Sequence, residues 1–170
     1  SRKAARAQAN ELKNRDPYIG AIVQGDLLVD ERKPSEAESA YRAASELKPR
    51  SSDAYYRLGA LFLKAREFAR AASEFERILR MNTNETKALY HIGETGAMSG
   101  QRLARAEHTL KTYLNTKPWS FMPSWADAHC RLGEIYERQG KREPARAEFQ
   151  TALKLDPDHR DAKAALRKLR

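Results

Sequence analysis

Apolar and small residues along this chain recur in a long frame rather than with one short period. Residues 52–85 carry Tyr55, Leu58-Gly59, Phe62, Ala71, Phe75 and Ile78. Residues 126–159 carry His129, Leu132-Gly133, Tyr136, Gly140, Ala145, Phe149, Ala152 and Pro157. Both frames are 34 residues long. Residues 18–51 repeat the frame in degraded form, with Ala21, Gln24-Gly25, Leu28, Ala37, Tyr41, Ala44 and Pro49. Residues 86–118 repeat it with Leu89, Ile92-Gly93, Gly96, Gly100, Ala106, Leu110, Tyr113 and Pro118, provided one extra residue sits in the turn near 101–105. Inside each frame the apolar positions fall three and four apart, which places them on one side of a helix. The pattern therefore predicts a pair of helices per frame and an internally repeated, all-α chain.

The residue types at these positions carry a packing logic of their own. Gly59, Gly93 and Gly133 fall in helix interiors, where glycine costs about 1 kcal/mol relative to alanine. That cost is tolerated where a neighbouring helix must come close. Ala37, Ala71, Ala106 and Ala145 give the same small surface on the second helix, and Phe62, Phe75, Tyr136 and Phe149 fill the space beside them. Pro49, Pro118 and Pro157 stop the second helices, because proline cannot continue one. A helix pair of this kind leaves a face uncovered, so the pairs are expected to stack on one another.

This pattern resembles the tetratricopeptide repeat (TPR) family over essentially the whole chain. The resemblance implies a right-handed superhelical solenoid of antiparallel helix pairs, with repeat units at 18–51, 52–85, 86–118 and 126–159. Residues 1–17, with Ala5, Ala9 and Leu12 before Asp16-Pro17, match the second helix of a truncated repeat in a fragment of a longer chain. Residues 160–170 match a C-terminal capping helix that covers the last repeat with Ala162, Leu166 and Leu169. The departures are His129 at a usually aromatic position, Gln24 in place of the usual leucine, and Pro34 in a turn. The insertion and proline-rich connector before the last repeat resemble bacterial members, some of them exported.

In the family the first helices of the pairs line a concave groove, so the resemblance implies a non-catalytic scaffold that binds a protein or peptide segment there. Carried over position by position, the groove residues are Ile22, Val23 and Val29, then Tyr56, Arg57, Leu63 and Lys64. Lys87, Tyr90, His91 and Glu94 follow, and then Arg131 and Arg138. The groove starts apolar, turns aromatic and basic in the middle, and ends mixed in charge. Tyr56 and Tyr90 take equivalent positions beside Arg57 and His91, a combination common in interaction hot spots; the other reading is that they pack between first helices. A carboxylate clamp for an acidic chaperone tail is not expected. Its positions read Ile19/Val23, Asp53/Arg57, Lys87/His91 and Asp127/Arg131, with no asparagine and with two aspartates that would repel a carboxylate. Residues 119–125 form a hydrophobic insertion with Trp119, Phe121, Met122 and Trp125. It reads either as a plug between repeats or as a lip that a partner covers.

Composition narrows the class further. Of the 170 residues 41% are apolar and 32% charged, and there are only 8 glycines and 7 prolines, which suits a folded helical chain rather than many short strands. No run of about 20 apolar residues exists to span a membrane. Cys130 is alone, which excludes a disulfide framework and a cysteine-based zinc site. It reads as a small apolar residue on a helix rather than a nucleophile. The four histidines, His91, His108, His129 and His159, have no His-Glu-x-x-His spacing, and no glycine-rich phosphate loop is present. Neither an enzyme nor a cofactor is therefore expected.

The net charge of +9 sits unevenly. Residues 1–17 carry +3, 86–125 carry +3 and 160–170 carry +4, while 18–51 and 126–159 each carry −1 and 52–85 carry +1. No continuous basic stripe follows the groove, and spacings such as Arg70/Glu74 and Glu143/Arg146 read as solvated helix faces. Nucleic acid is thus an unfavoured partner, although an anionic-polymer-binding module stays as one alternative. The other is a structural homo-oligomer that stacks through the alanine-rich face of residues 4–12.

Overall fold

A computed structural model of the chain describes residues 11–12, 14–116 and 122–169. Trp119 and Phe121, named above for the insertion, lie outside the described residues, as do residues 1–10 of the N-terminal segment. The fold is all-α. Among the described residues nine complete helices follow one another: α1 (Pro17–Asp30), α2 (Pro34–Leu47), α3 (Ser52–Lys64), α4 (Phe68–Met81), α5 (Thr86–Ser99), α6 (Leu103–Leu114), α7 (Trp125–Arg138), α8 (Arg142–Leu155) and α9 (Arg160–Lys168). They pack as sequential antiparallel pairs, α1 with α2, α3 with α4, α5 with α6 and α7 with α8, and α9 lies on α8. The chain divides into two compact units, residues 1–81 and 82–170. In the first, α2 also packs on α3; in the second, α5 and α6 both pack on α7.

Two prolines open helices. Pro17 follows helical residues that end at Arg15, as expected of a stop, and is also the first residue of α1; Pro34, expected in a turn, is the first residue of α2. An N1 proline needs no hydrogen-bond partner for its missing N–H, and its fixed φ already suits the helix. Asp16 caps α1 by accepting from the backbone N–H groups of Tyr18 and Ile19 at 3.0 and 3.2 Å. Trp125 likewise belongs to a helix rather than to the insertion. It opens α7 behind the capping box of Ser124 and Asp127, in which each side chain takes the other residue's backbone N–H.

The turn inside each pair needs a left-handed residue. Arg32 (φ 60°), Arg66 (φ 61°) and Gly140 (φ 74°) fill that place in three of the pairs. The α5–α6 turn is as short as the others but has two left-handed positions, Gly100 (φ 72°) and Arg102 (φ 50°); the extra residue expected near 101–105 lies instead at the end of α5, which runs on to Ser99.

Within every pair the two helices meet over a glycine. A Cβ on Gly59 would lie 2.4 Å from the Phe75 ring, and one on Gly133 would lie 2.6 Å from the Phe149 ring. Tyr41 stands over Gly25, and Leu110 over Gly93, in the same way. Ala37, Ala71, Ala106 and Ala145 are all buried on the facing helix, so close approach is set from both sides.

Between pairs, each unit carries a charged clasp around an aromatic ring. In the first unit Glu38 and Arg42 come from α2, Phe62 from α3, and Arg70 and Glu74 from α4. Arg42 pairs with the buried Glu74 at 2.9 Å and approaches Glu38 at 3.5 Å. Arg70 donates to Glu38 and, at 2.6 Å, to Glu67. The Arg42 and Arg70 guanidinium groups stand 5.9 and 3.9 Å from the buried Phe62 ring centroid. These contacts replace the expected Arg70/Glu74 surface pair: both residues reach across to α2 instead. In the second unit Glu107 of α6 accepts from Lys111 (2.6 Å), the Tyr136 hydroxyl (3.3 Å) and the Gln139 amide (3.1 Å), with Lys141 at 3.8 Å. The two ammonium groups stand 5.7 and 5.4 Å from the Tyr136 ring centroid. The Lys111 hydrogen bond, with help from Gln139 and Lys141, holds the Glu107 carboxyl below the ordinary glutamate range against the opposing effect of burial.

Glu143/Arg146 also departs from the surface-pair expectation. Arg146, together with Arg142, donates to the Leu169 carbonyl at 2.8 and 2.7 Å and so ties the end of α9 to α8. The glycine contact yields a direct test. Gly59→Ala places a methyl group against a ring with no room to move, so urea unfolding should show a loss of about 1–3 kcal/mol despite alanine's better helix propensity.

Candidate functional site

The first helices of the pairs carry the residues predicted to meet a partner, and each unit arranges them separately. On α1, Ile22 is buried while Val23 and Val29 are half-buried. On α3, Tyr56 and Leu63 are half-buried and Lys64 is exposed. The Tyr56 ring lies 6.2 Å from the Phe75 ring. Arg57 does not stand open as a donor for a partner. It binds Asp26 of α1 at 2.8 Å, with both side chains 40% exposed. The same Asp26 oxygen accepts from the Tyr41 hydroxyl at 2.7 Å. Burial and this carboxylate together push the Tyr41 phenol well above its ordinary range.

In the second unit the equivalent position holds an equivalent pair. Arg131 of α7 reaches Glu94 of α5 at 4.0 Å, as Arg57 reaches Asp26. Its guanidinium also donates to both Glu134 oxygens at 2.8 and 3.0 Å and lies 3.8 Å from Asp161 of α9. Burial opposes the charged form of Arg131, but Glu134, Tyr90 and Glu94 outweigh it and raise its pKa further. His91 contacts Glu94 at 3.0 Å. Lys87 is half-buried at the start of α5. Arg138 caps the other end of α5 by donating to the Met98 carbonyl at 3.1 Å.

Tyr90 departs from the open-face reading. It is 4% exposed and packs against Tyr113 and His91, with ring centroids 5.5 Å away in both cases. Tyr56 and Tyr90 thus share a place in the repeat but not an environment. Asp26 and Asp161, absent from the groove residues named from the sequence, are partners of these arginines. The signal for the first was available: an acid at position 9 of one repeat faces an arginine at position 6 of the next, in both units. Asp161 had no such signal, because α9 lies outside the repeat frame.

The described end of the insertion is tied down rather than free. The Thr86 hydroxyl donates to the Met122 sulfur at 3.6 Å, and the Tyr113 hydroxyl donates to the Pro123 carbonyl. Trp125 keeps 37% of its surface exposed. Asp127 links this end to α9. It exchanges hydrogen bonds with Ser124 at 2.6 and 3.0 Å and meets His159 Nε2 at 3.3 Å. His159 Nδ1 accepts the Ala162 N–H at 3.3 Å, which fixes the tautomer with Nε2–H donating to Asp127. Burial works against the Asp127 carboxylate, yet the Ser124 and His159 contacts prevail and hold its pKa below the ordinary range. Among the described residues no three His, Cys, Asp or Glu side chains converge as a metal site, and no helix is long and apolar enough to cross a membrane.

Antiparallel helix pairs on a 34-residue frame, locked by a glycine under a large side chain, define a tandem helical-repeat protein. Comparison with known proteins gives the family: tetratricopeptide repeat profiles match residues 22–86, 58–123 and 126–159. The chain belongs to the tetratricopeptide repeat family, whose members are generally protein–protein interaction modules. It is 29% identical over 144 residues to the human protein O-mannosyl-transferase TMTC3, covering 83% of this chain and 15% of that one. It is 34% identical over 102 residues to the tetratricopeptide repeat and J domain-containing co-chaperone DNJ1 of Cryptococcus neoformans, covering 59% of this chain and 19% of that one. The chain thus spans less than one fifth of the length of either relative. Among solved structures, a tetratricopeptide repeat protein from Parabacteroides merdae superposes with a TM-score of 0.82 at 16% identity over 99% of this chain and 65% of that one. A crystal structure of MamA gives 0.73 at 24% identity over 90% and 81% of the two chains.

Two side chains give tests of this geometry. Cys130 is 1% exposed, and burial pushes its thiol up to about 12. A thiol-specific disulfide reagent at pH 8 should therefore leave the native protein unlabelled and label one group after unfolding in urea. Asp127 has its pKa depressed on folding, so its contribution is intact above the ordinary carboxylate value of about 4 and is lost as pH falls through the lower folded value. Ser124→Ala should cost about 1 kcal/mol at pH 7, and that gap should narrow steadily below about pH 4 in urea titrations of both proteins.

Proposed function

We propose that each unit presents a partner-binding face along its first helices and that the chain acts as a non-catalytic scaffold for a protein or peptide segment. The observation that supports this most is the pair of cross-repeat ion pairs, Asp26–Arg57 and Arg131–Glu94. They hold the first helices of each unit in register and leave the residues around them facing outward. The first unit then offers Val23, Val29, Tyr56 and Leu63, an apolar and aromatic strip with Lys64 at its edge.

The second unit offers a different chemistry. Its Arg131 guanidinium is shared among Glu94, Glu134 and Asp161, so carboxylates outnumber the cation they surround. Such a face suits a segment that carries lysine or arginine and disfavours an acidic one. This reading also explains why the net charge of +9 is a poor guide to the partner: the basic excess does not lie on the face.

Fluorescence anisotropy with two labelled ten-residue peptides, one alternating leucine with lysine and one alternating leucine with glutamate, tests the reading. The lysine peptide should bind the whole chain more tightly. Glu134→Gln combined with Asp161→Asn should weaken that binding by roughly ten-fold, with the circular dichroism of the protein unchanged. Equal binding of both peptides, or binding indifferent to the two substitutions, would reject the cationic-segment reading.

A further inference from the structure

The last helix is fastened at both ends, and the two fastenings differ in kind. α9 has nine residues, too few to persist alone in water, so it depends on its caps and on what it packs against. At its far end the Leu169 carbonyl accepts from Arg142 and Arg146 at 2.7 and 2.8 Å. Those guanidinium groups keep their charge between about pH 5 and 8. At its near end the cap is a histidine, where serine, threonine, asparagine or aspartate is usual. His159 caps through Nδ1, which accepts the Ala162 N–H at 3.3 Å, while Nε2 meets Asp127 at 3.3 Å. Only 10% of the His159 side chain is exposed.

We propose that His159 is a proton-operated latch for α9: a proton on Nδ1 removes the cap, loosens the first turn of the helix and takes Asp161 away from Arg131. A protonated imidazole donates from both nitrogens. The Nε2–H bond to Asp127 survives and becomes a full charge pair, because Asp127 stays ionised well below pH 5. The other side of the ring reverses. A donor now faces the Ala162 N–H and the positive end of the helix dipole, where an acceptor stood before. The first turn of α9 thereby loses the side-chain acceptor for its free N–H groups.

The other charges at this corner do not replace that acceptor. Asp158 is engaged with Lys163 at 3.0 Å, and Asp156 accepts the Asp158 N–H at 3.0 Å. Asp161 faces Arg131 of α7 at 3.8 Å. The end of α8 adds the exposed Lys154, and the Cys130 thiol of α7, pushed up to about 12, stays neutral throughout. The cap therefore exists only with the neutral ring. Its contribution is complete above the range in which histidine ordinarily exchanges its proton, about pH 5 to 8, and is lost as pH falls through that range.

Asp161 is the second residue of α9, inside the turn that the latch holds. The consequence for binding rests on the reading of the second unit as a face for cationic segments. On that reading acid removes one of the three carboxylates around Arg131 and weakens the face.

Nuclear magnetic resonance of the whole chain tests the latch with no partner present. Ring-nitrogen shifts report when His159 takes its proton. Amide exchange, expressed as protection relative to an unstructured peptide at the same pH, reports on each helix. From about pH 7.5 to about pH 5, wild-type protection over α9 should fall roughly five-fold in step with His159, with α7 and α8 unchanged. His159→Asn keeps a capping oxygen and takes no proton, so its α9 protection should stay level. A ring still neutral at pH 5, a protonated ring with α9 protection unchanged, or the same fall in His159→Asn would each overturn the proposal. If the variant fails to fold, the wild-type titration decides alone, and a fall shared by α7 and α8 overturns the latch.

The leucine–lysine peptide then separates the latch from the face. Between pH 7.5 and 5.5 its affinity should drop roughly three-fold more for wild type than for His159→Asn. The comparison cancels protonation of His91 beside Glu94, which both proteins share. No binding at either pH rejects the face and leaves the exchange result standing. Binding with no difference between the two proteins overturns the link from α9 to the face.

Discussion

Everything else in this chain depends on how close two helices of a pair can come. A Cβ in place of the hydrogen on Gly59 would stand 2.4 Å from the Phe75 ring, well inside any van der Waals contact. The glycine is thus a helix-weakening residue kept because the ring needs its space. Ala71 and the other facing alanines leave the same room from the second helix. Once that spacing is fixed, the intra-pair turn must close a short distance, which is why a left-handed residue recurs there even as an arginine. It also fixes where the first helices present their outward side, so the partner faces are set by contacts that no partner touches.

That dependence explains which parts of the structure were legible in the sequence. The glycine and ring positions lie in one repeat frame and obey short-range helix geometry, so they could be read from spacing alone; the extra residue of the third frame could be counted but was misplaced, since it lengthens α5 and not the turn. Contacts between pairs could not. Arg70 and Glu74 stand four apart on one helix and look like a surface pair, yet each reaches α2, because a long side chain finds a better-shielded partner across a packed boundary than along its own helix. Pro17 and Pro34 were ambiguous for a different reason. A proline serves equally after a helix stop and as a first helical residue; Pro17 does both, and Pro34 opens α2 although Lys33 before it makes no side-chain cap. For Trp125 the deciding cap, Ser124 with Asp127, was present in the sequence but masked by the apolar run beside it.

The predicted binding residues divide along the same line. Val23, Val29, Tyr56, Leu63 and Lys64 keep surface in the first unit, because their helix turns them away from the glycine seam. Tyr90 sits at the place of Tyr56 and yet is buried against Tyr113. Repeat position gives the direction in which a side chain leaves its helix; it does not say what else in that repeat will be waiting there.

Charge follows this rule most sharply. Arg57 and Arg131, at position 6 of their repeats, were expected among the groove residues, Arg57 as part of a hot spot beside Tyr56. In the folded chain Arg57 and Arg131 are held by acids from the preceding first helix, at a separation of one repeat that only the array creates. A cation bound in this way contributes little positive potential outward, whereas the second and third carboxylates beside Arg131 contribute negative potential. On the proposed reading, the sign of a binding face is therefore set by the pairing between neighbouring repeats, and a segment bound by the second unit would respond to Glu94, Glu134 and Asp161 rather than to the formal charge of the whole chain.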